Sequence, residues 1–138
     1  MRVLLALERL LGSYPIEQIT SGRLAREAGI SRSTFYRQYA SVDDVLVQLF
    51  DHVITEMTVA SDGWISGANL HLEPQLRGLH QVYLNHGPLL RAVADAEVGE
   101  LKATSEAYTS MMAMWDEVVT VRITESVSYT HLRAHETI

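Results

Sequence analysis

The sequence of 138 residues contains no cysteine and no long apolar run. The absence of cysteine excludes a disulfide framework and a metal site built from thiolates. No apolar stretch approaches the roughly 18 residues that a membrane-spanning helix needs. The apolar start at residues 3–7 is followed at once by Glu8 and Arg9, without a small-residue cleavage site, so no secretory signal is predicted. These absences predict a cytoplasmic protein without a membrane partner.

The sequence also lacks an overall positive charge, since its formal net charge is −6. This charge is unevenly distributed along the chain. Residues 1–50 carry six arginines and five acidic residues, a net charge of +1, whereas residues 51–138 carry five basic and twelve acidic residues, a net charge of −7. Residues 17–42 hold four arginines against two glutamates, a net charge of +2. The basic charge therefore lies in one segment, as a DNA-binding face would require.

Apolar residues recur at helical spacing along most of the chain, and strand-like alternation never extends beyond a few residues. The sequence therefore predicts an all-α protein. Residues 62–74 are predicted as a loop, and His86-Gly87-Pro88 is predicted to break a helix. The predicted helices start at or near Val3, Thr20, Ser31, Ser41, Glu73, Leu89 and Glu100.

The segment from Thr20 to Asp44 predicts two short helices around a tight turn and the capped start of the next helix. Thr20 or Ser21 can cap the first of these, and Gly29 permits a left-handed turn residue at low steric cost. Ser41 with Asp44 imitates a capping box, and Asp43 and Asp44 lie where the helix dipole favours acids. A helix-turn-helix of this kind is a device for placing a helix in a DNA groove.

The helix that follows Ser31 concentrates polar and basic groups on its exposed arc. Ile30 and Phe35 are the positions expected to be buried. A recognition helix needs short hydroxyls near phosphates, long donors for base edges and an aromatic hydroxyl for backbone contact. A solvated polar face is the alternative for any one residue, but the whole set favours DNA. The predicted contacts on this helix are Arg32, Ser33, Thr34, Tyr36, Arg37 and Gln38.

Residues 1–50 resemble the N-terminal domain of the TetR family of bacterial repressors. The resemblance implies a ligand-responsive transcriptional regulator bound to a double-stranded DNA operator, with Phe35 and Tyr39 as packing positions. It also implies that Thr20 or Ser21 offers a backbone amide or hydroxyl to phosphate. The chain departs from the family at Val42, where a lysine is usual. The resemblance is carried by Ala25, Ala28, Gly29, Ile30, Ser31, Thr34, Phe35, Tyr36, Tyr39 and Ser41.

The second half contains Asn85-His86-Gly87-Pro88, Arg91-Ala92 and a later run from Glu106 to Ile123 with Trp115. In the spacing of these segments it resembles, more faintly, the ligand domain of the ethionamide-resistance repressor branch of that family. The predicted division is a DNA-binding domain at residues 1–45 and a partial ligand-binding domain at residues 46–126. The resemblance implies a small apolar effector. No cofactor and no metal are predicted for the chain. Tyr108, Met112 and Trp115 would line the effector pocket, although a role as plain core is equally open.

Residues 127–138 are predicted to be a non-native tail, because they resemble one reading frame of a sequencing-library adapter. His131 and His135 share the spacing of a helical metal site, but this alternative is set aside. The family resemblance implies a homodimer built on further C-terminal helices, which this sequence does not supply. The sequence is therefore expected to be truncated and, as a monomer offering one recognition helix, to bind DNA weakly.

Two other classes remain as alternatives to a ligand-responsive repressor. Another helix-turn-helix protein, such as a recombinase or sigma-like factor, would not predict a methionine- and aromatic-rich helical domain after the motif. A small helical metal-dependent enzyme finds support only in scattered histidines. The sequence shows no Ser-His-Asp order, phosphate loop or paired-carboxylate spacing, so no enzyme is predicted. The histidines concerned are His52, His71, His80 and His86.

Overall fold

The computed structural model describes residues 1–68, 71–96 and 100–136, with side chains described up to residue 128. No strand occurs in these ranges, so the all-α prediction is confirmed. None of the helices in the described ranges is both long and apolar enough to cross a membrane. The α-helices are α1 (Arg2–Leu11), α2 (Ser21–Ala28), α3 (Arg32–Gln38), α4 (Val42–Ala60), α5 (Asp62–Ile65), α6 (Glu73–Ala94) and α7 (Lys102–Glu136).

The starts of α2, α3 and α4 lie at the predicted caps. In each case a hydroxyl accepts a hydrogen bond from the backbone N–H three positions later, which satisfies one of the unpaired donors of a helix start. Gly29 ends α2 with a φ of +71°, a left-handed conformation that glycine adopts without a steric penalty. The cap bonds run from Arg23 to Thr20, from Thr34 to Ser31 and from Asp44 to Ser41, with lengths of 3.1, 3.1 and 3.3 Å.

The two carboxylates in the first turn of α4 have different partners. Asp44 reaches back to the N–H of Ala40 at 2.9 Å, one residue before the partner of a standard capping box. Asp43 accepts from the N–H groups of Ala103 and Thr104 at 2.8 and 3.0 Å, and from the Thr104 hydroxyl at 2.6 Å. Asp43 therefore caps the start of α7, which lies about sixty residues further along the chain.

One apolar core extends from α1 to the middle of α7. Helix α4 packs against α1, α5, α6 and α7, and α1 also packs against α2. The predicted boundary between residues 45 and 46 lies inside α4, where Val45 and Leu46 are both fully buried. The two predicted domains therefore share α4 and one core. The residues that α1 buries are Val3, Leu4, Ala6, Leu7, Leu10 and Leu11.

Helix α6 is kinked where the sequence predicts a break. His86 has φ −127° and ψ 23°, outside the helical region. Pro88 explains the kink, since its ring clashes with the preceding turn and it cannot donate a backbone hydrogen bond. Helical geometry resumes after the kink and continues to Ala94. The predicted break at residues 86–88 is therefore observed, as a kink that divides α6 into two helical segments.

Two further boundaries differ from the prediction. Part of the predicted loop forms the single turn α5, because Trp64 can be buried there. Helix α7 continues to Glu136, beyond the predicted end near Glu125 and into the predicted tail. The side chains of His131 and His135 lie outside the described part of the structure, so the origin of residues 127–138 remains a prediction.

Candidate nucleic-acid interface

Helix α3 is anchored through a single fully buried aromatic side chain. Phe35 has no exposed surface, and its ring meets the rings of Tyr36 and Tyr39 at centroid distances of 5.3 and 5.6 Å. Tyr39 is also buried, so the predicted packing roles of Phe35 and Tyr39 are confirmed. With one side of this short helix packed, its other residues face outward.

The predicted contact residues occupy that outward arc. Thr34 is half-buried and the other five on α3 are exposed, while at the start of α2 Thr20 is exposed and Ser21 is half-buried. The exposure that DNA contact requires is therefore present on both helices. The exposed residues on α3 are Arg32, Ser33, Tyr36, Arg37 and Gln38.

A short hydrogen-bond chain fixes the hydroxyl of Thr34. This hydroxyl accepts from Ser31 Oγ at 2.9 Å and from Arg37 Nη2 at 3.0 Å. A hydroxyl accepts two hydrogen bonds and donates one, so Thr34 keeps its proton for an external acceptor. Arg37 is held against α3 by a neutral group, which leaves its charge uncompensated by this contact.

A second group of side chains joins the start of α3 to the start of α2. Tyr36 lies next to the side chains of Ser21 and Arg32 at this junction. These neighbours, Ser21 first and Arg32 second, lower the pKa of Tyr36 because their polar and positively charged groups stabilise the phenolate. The stem of Arg32 passes within 3.9 Å of the position that a β-carbon on Gly22 would occupy. We call Ser21, Arg32 and Tyr36 the junction cluster.

The junction cluster lies beside the N-terminus of α2, where unpaired N–H groups and the helix dipole attract anions. Thr20 accepts the N–H of Arg23 there, so its lone pair is used in capping and its hydroxyl proton remains for an outside acceptor. The arrangement can therefore bind a phosphate through hydroxyl, amide and guanidinium donors together.

One cation on the same helix was not assigned a role from the sequence. The guanidinium carbon of Arg23 lies 4.3 Å from the ring centroid of Tyr14, a cation–π contact that orients the charge. Tyr14 lies in the loop between α1 and α2, which contains the 3-10 turn Ile16–Gln18. No local sequence pattern identifies such a pair, because it depends on the path of that loop.

The position that departs from the family pattern is part of the packing. Val42 is half-buried and packs against the apolar core at the start of α4. A lysine at this position would carry its stem along the same surface and its ammonium into solvent. The missing cation is therefore a difference in charge at a site that can hold either side chain.

The three predicted effector residues lie on one side of α7 but differ in exposure. Tyr108 and Trp115 are half-buried against the core, whereas Met112 is 40% exposed. The indole nitrogen of Trp115 is buried without a hydrogen-bond partner among the described residues. A cleft of about 340 Å³ lies between residues 11–17 and residues 88–95, and one of about 360 Å³ lies at the start of α7. Neither cleft includes these three residues.

The histidines give no support to metal chemistry in the described residues. No group of three or more histidine, aspartate or glutamate side chains there could hold a metal ion. His52, His71 and His80 are exposed. His86 is different, since it lies between the carboxylates of Glu8 and Glu56, and each of its ring nitrogens faces one of them.

Comparisons with known proteins find regulators that are similar in sequence to this chain. The chain is 32% identical over 117 residues to the HTH-type transcriptional regulator EthR of Mycobacterium tuberculosis, covering 75% of this chain and 53% of that protein. It is 27% identical over 125 residues to EthR of Mycolicibacterium smegmatis, covering 88% of this chain and 58% of that protein. The chain thus spans about half the length of these curated relatives. No protein-family model matches it.

Proposed function

We propose that this chain, a homologue of the EthR regulators of the TetR family, is a DNA-binding transcriptional regulator that presents α3 to the major groove. The observation that carries the proposal is the junction cluster. It places Ser21, Arg32 and Tyr36 together beside the start of α2, next to the exposed arc of α3. A solvated surface helix has no need for this convergence of donors from two helices.

The side chains divide by chemistry into two kinds of contact. Ser21, Thr34 and Tyr36 offer hydroxyls, which suit phosphate oxygens and fix the register of the protein on the duplex. The longer side chains of Arg37 and Gln38 are exposed at the end of α3, and such donors read guanine and adenine edges. Thr20, Arg32 and Ser33 complete the proposed set around the start of both helices.

The same proposal extends to a repressor that responds to a ligand. A small apolar effector would bind beside Tyr108, Met112 and Trp115, and the unpaired indole N–H of Trp115 could donate to it. Binding would change DNA affinity only through a difference in effector affinity between two arrangements of the helices. In a homodimer, two copies of α3 would read two half-sites about 34–36 Å apart.

The experiment that tests DNA reading compares two arginines. Arg32→Ala removes a member of the junction cluster, whereas Arg77→Ala removes an arginine that is exposed on α6 and paired with Glu73. The probe is a fluorescent duplex selected by the chain from a randomised pool at low salt, and binding is followed by anisotropy. We expect Arg32→Ala to weaken binding about 5- to 150-fold, which corresponds to about 1–3 kcal/mol, and Arg77→Ala to change it little. Equal effects of the two substitutions, or no binding at low salt, would contradict the proposal.

A further inference from the structure

The side chain of His86 lies at the kink of α6 between two other helices. Its Nδ1 meets a carboxylate oxygen of Glu8 on α1, and its Nε2 meets a carboxylate oxygen of Glu56 on α4 at 3.0 Å. The imidazole side chain is only 15% exposed. A single ring therefore joins three helices at the point where α6 leaves helical geometry.

The geometry requires a charged ring. A carboxylate only accepts hydrogen bonds, and a neutral imidazole has one N–H donor and one bare nitrogen. Only the imidazolium donates to Glu8 and Glu56 together. A neutral ring would turn a lone pair towards one of these carboxylates, and that contact would become repulsive.

Burial and the carboxylates of Glu8 and Glu56 control the charge of the ring. Burial opposes ionisation and lowers the pKa of His86, but the hydrogen bonds and charges of Glu8 and Glu56 outweigh it, so the pKa is raised above its usual value. Glu8 faces the ring from α1 and Glu56 faces it from α4. Among the described residues, no charged group of α7 or of α6 itself adds to this shift.

We propose that His86 is a pH-sensitive clamp, which while protonated ties the kink of α6 to α1 and α4 and on deprotonation releases one of them. The contribution of the clamp to stability is fully present below the unfolded histidine pKa of about 6.5. It is lost as the pH rises through the higher pKa of the folded state. The clamp therefore weakens on the alkaline side of neutrality.

The position of the clamp connects it to DNA reading, and this part rests on the proposed function. Helix α1 packs against α2, and only three residues separate the end of α3 from the start of α4. The two helices that His86 holds are thus the supports of the helix-turn-helix. Releasing either one loosens the geometry in which the junction cluster is assembled.

The first test measures the clamp without DNA, on the full chain. We expect a histidine-ring NMR titration to place the pKa of His86 above about 6.5. Glu56→Gln removes the charge of the more exposed of the two carboxylates that face the ring, and should lower this pKa. Melting temperatures should fall by about 3–5 °C from pH 6 to pH 8.5 in the wild type. The same fall is expected for His80→Gln, an exposed histidine on the same helix, but not for His86→Gln. A His86 pKa at or below 6.5 in the wild type, no response to Glu56→Gln, or an undiminished fall in a folded His86→Gln would overturn the clamp. Failure of His86→Gln to fold would leave the NMR titrations of the wild type and Glu56→Gln to decide.

The second test asks whether the clamp governs DNA reading. Binding to the selected duplex is measured at pH 6 and pH 8.5 for the wild type, His86→Gln and His80→Gln. We expect the ratio of the two dissociation constants to be several-fold smaller in His86→Gln than in the other two. Equal ratios in all three would refute the coupling. A chain that binds no duplex would instead refute the proposed function, while the DNA-free measurements would still decide whether the clamp exists.

Discussion

The helices up to Ala60 differ from the later helices in their capping, in the exposure of their apolar side chains and in the hydrogen bonding of their buried polar atoms. In the first part, α2, α3 and α4 each begin with a capping hydroxyl, and α1 buries all its apolar side chains except Leu5. Against five in the first part, nine large apolar side chains are exposed among the described residues of the second part. They are Leu72, Leu76, Tyr83, Leu84, Met112, Met114, Val121, Ile123 and Val127. The buried side-chain atoms without a hydrogen-bond partner among the described residues, those of Ser61, Trp115 and Arg122, also lie after residue 60.

This difference shows in which part of the chain the local sequence is sufficient to specify the helices. In the first part, hydrophobic period, capping residues and turn glycine all agree on the same helices, and such agreement specifies a fold. In α7 they do not agree. Met112 and Ile123 lie on one side of α7, Met114 and Val121 lie on nearly the opposite side, and a third side faces the core. The packing of this helix is therefore set by tertiary contacts.

The largest difference between the two parts is expected when an aromatic ring is removed from each of them. Phe35→Ala removes a fully buried side chain under α3 and should lower the free energy of unfolding by about 3–5 kcal/mol. Tyr83→Ala removes a side chain that is 56% exposed on α6 and should change it by about 0.5 kcal/mol or less. Urea unfolding followed by circular dichroism measures both. Similar losses for the two variants would show that the parts do not differ as described.

A smaller effect concerns one polar contact between the two parts, that of Asp43 with the start of α7. Asp43→Ala removes three hydrogen bonds to the start of α7 and leaves the buried Thr104 hydroxyl without its carboxylate. We expect a loss of about 2–3 kcal/mol in the free energy of unfolding, as for hydrogen bonds to a charged group. Asp44→Ala, which loses one bond to Ala40, should cost about 1 kcal/mol. If Asp44→Ala proved the more damaging, the cap on α7 would be unimportant.

Most of what the sequence predicted rests on local signals. The helices around Gly29, their caps at Thr20, Ser31 and Ser41, and the kink near Pro88 each follow from residues within a few positions of one another. The contacts between Asp43 and Thr104 and between Glu8 and His86 do not, because 61 and 78 residues separate the partners. In the local sequence, Asp43 and Glu8 resemble any surface acid, and His86 resembles any helical histidine. Only the packing of the helices therefore reveals these contacts.

The smallest expected effect is a change in salt dependence. Val42→Lys would add a cation beside the start of α4, at a position where the valine side chain is half-buried against the core. One additional phosphate contact should steepen the slope of log K against log salt by about 0.9. Anisotropy titrations over a range of salt concentrations measure the slope. The control is Val59→Lys, at an exposed position near the other end of α4. An unchanged slope for Val42→Lys would place the phosphate backbone away from this position.

The most direct test of DNA reading by α3 is a map of the protein surface that DNA touches. A titration of the isotope-labelled chain with the selected duplex, followed by backbone amide NMR signals, also detects weak binding. We predict that the largest shifts fall at residues 20–23 and 31–38, with α6 and the described part of α7 little affected. Shifts confined to α6 and α7, or none at low salt, would contradict the assignment of the junction cluster and α3 as the DNA-reading surface.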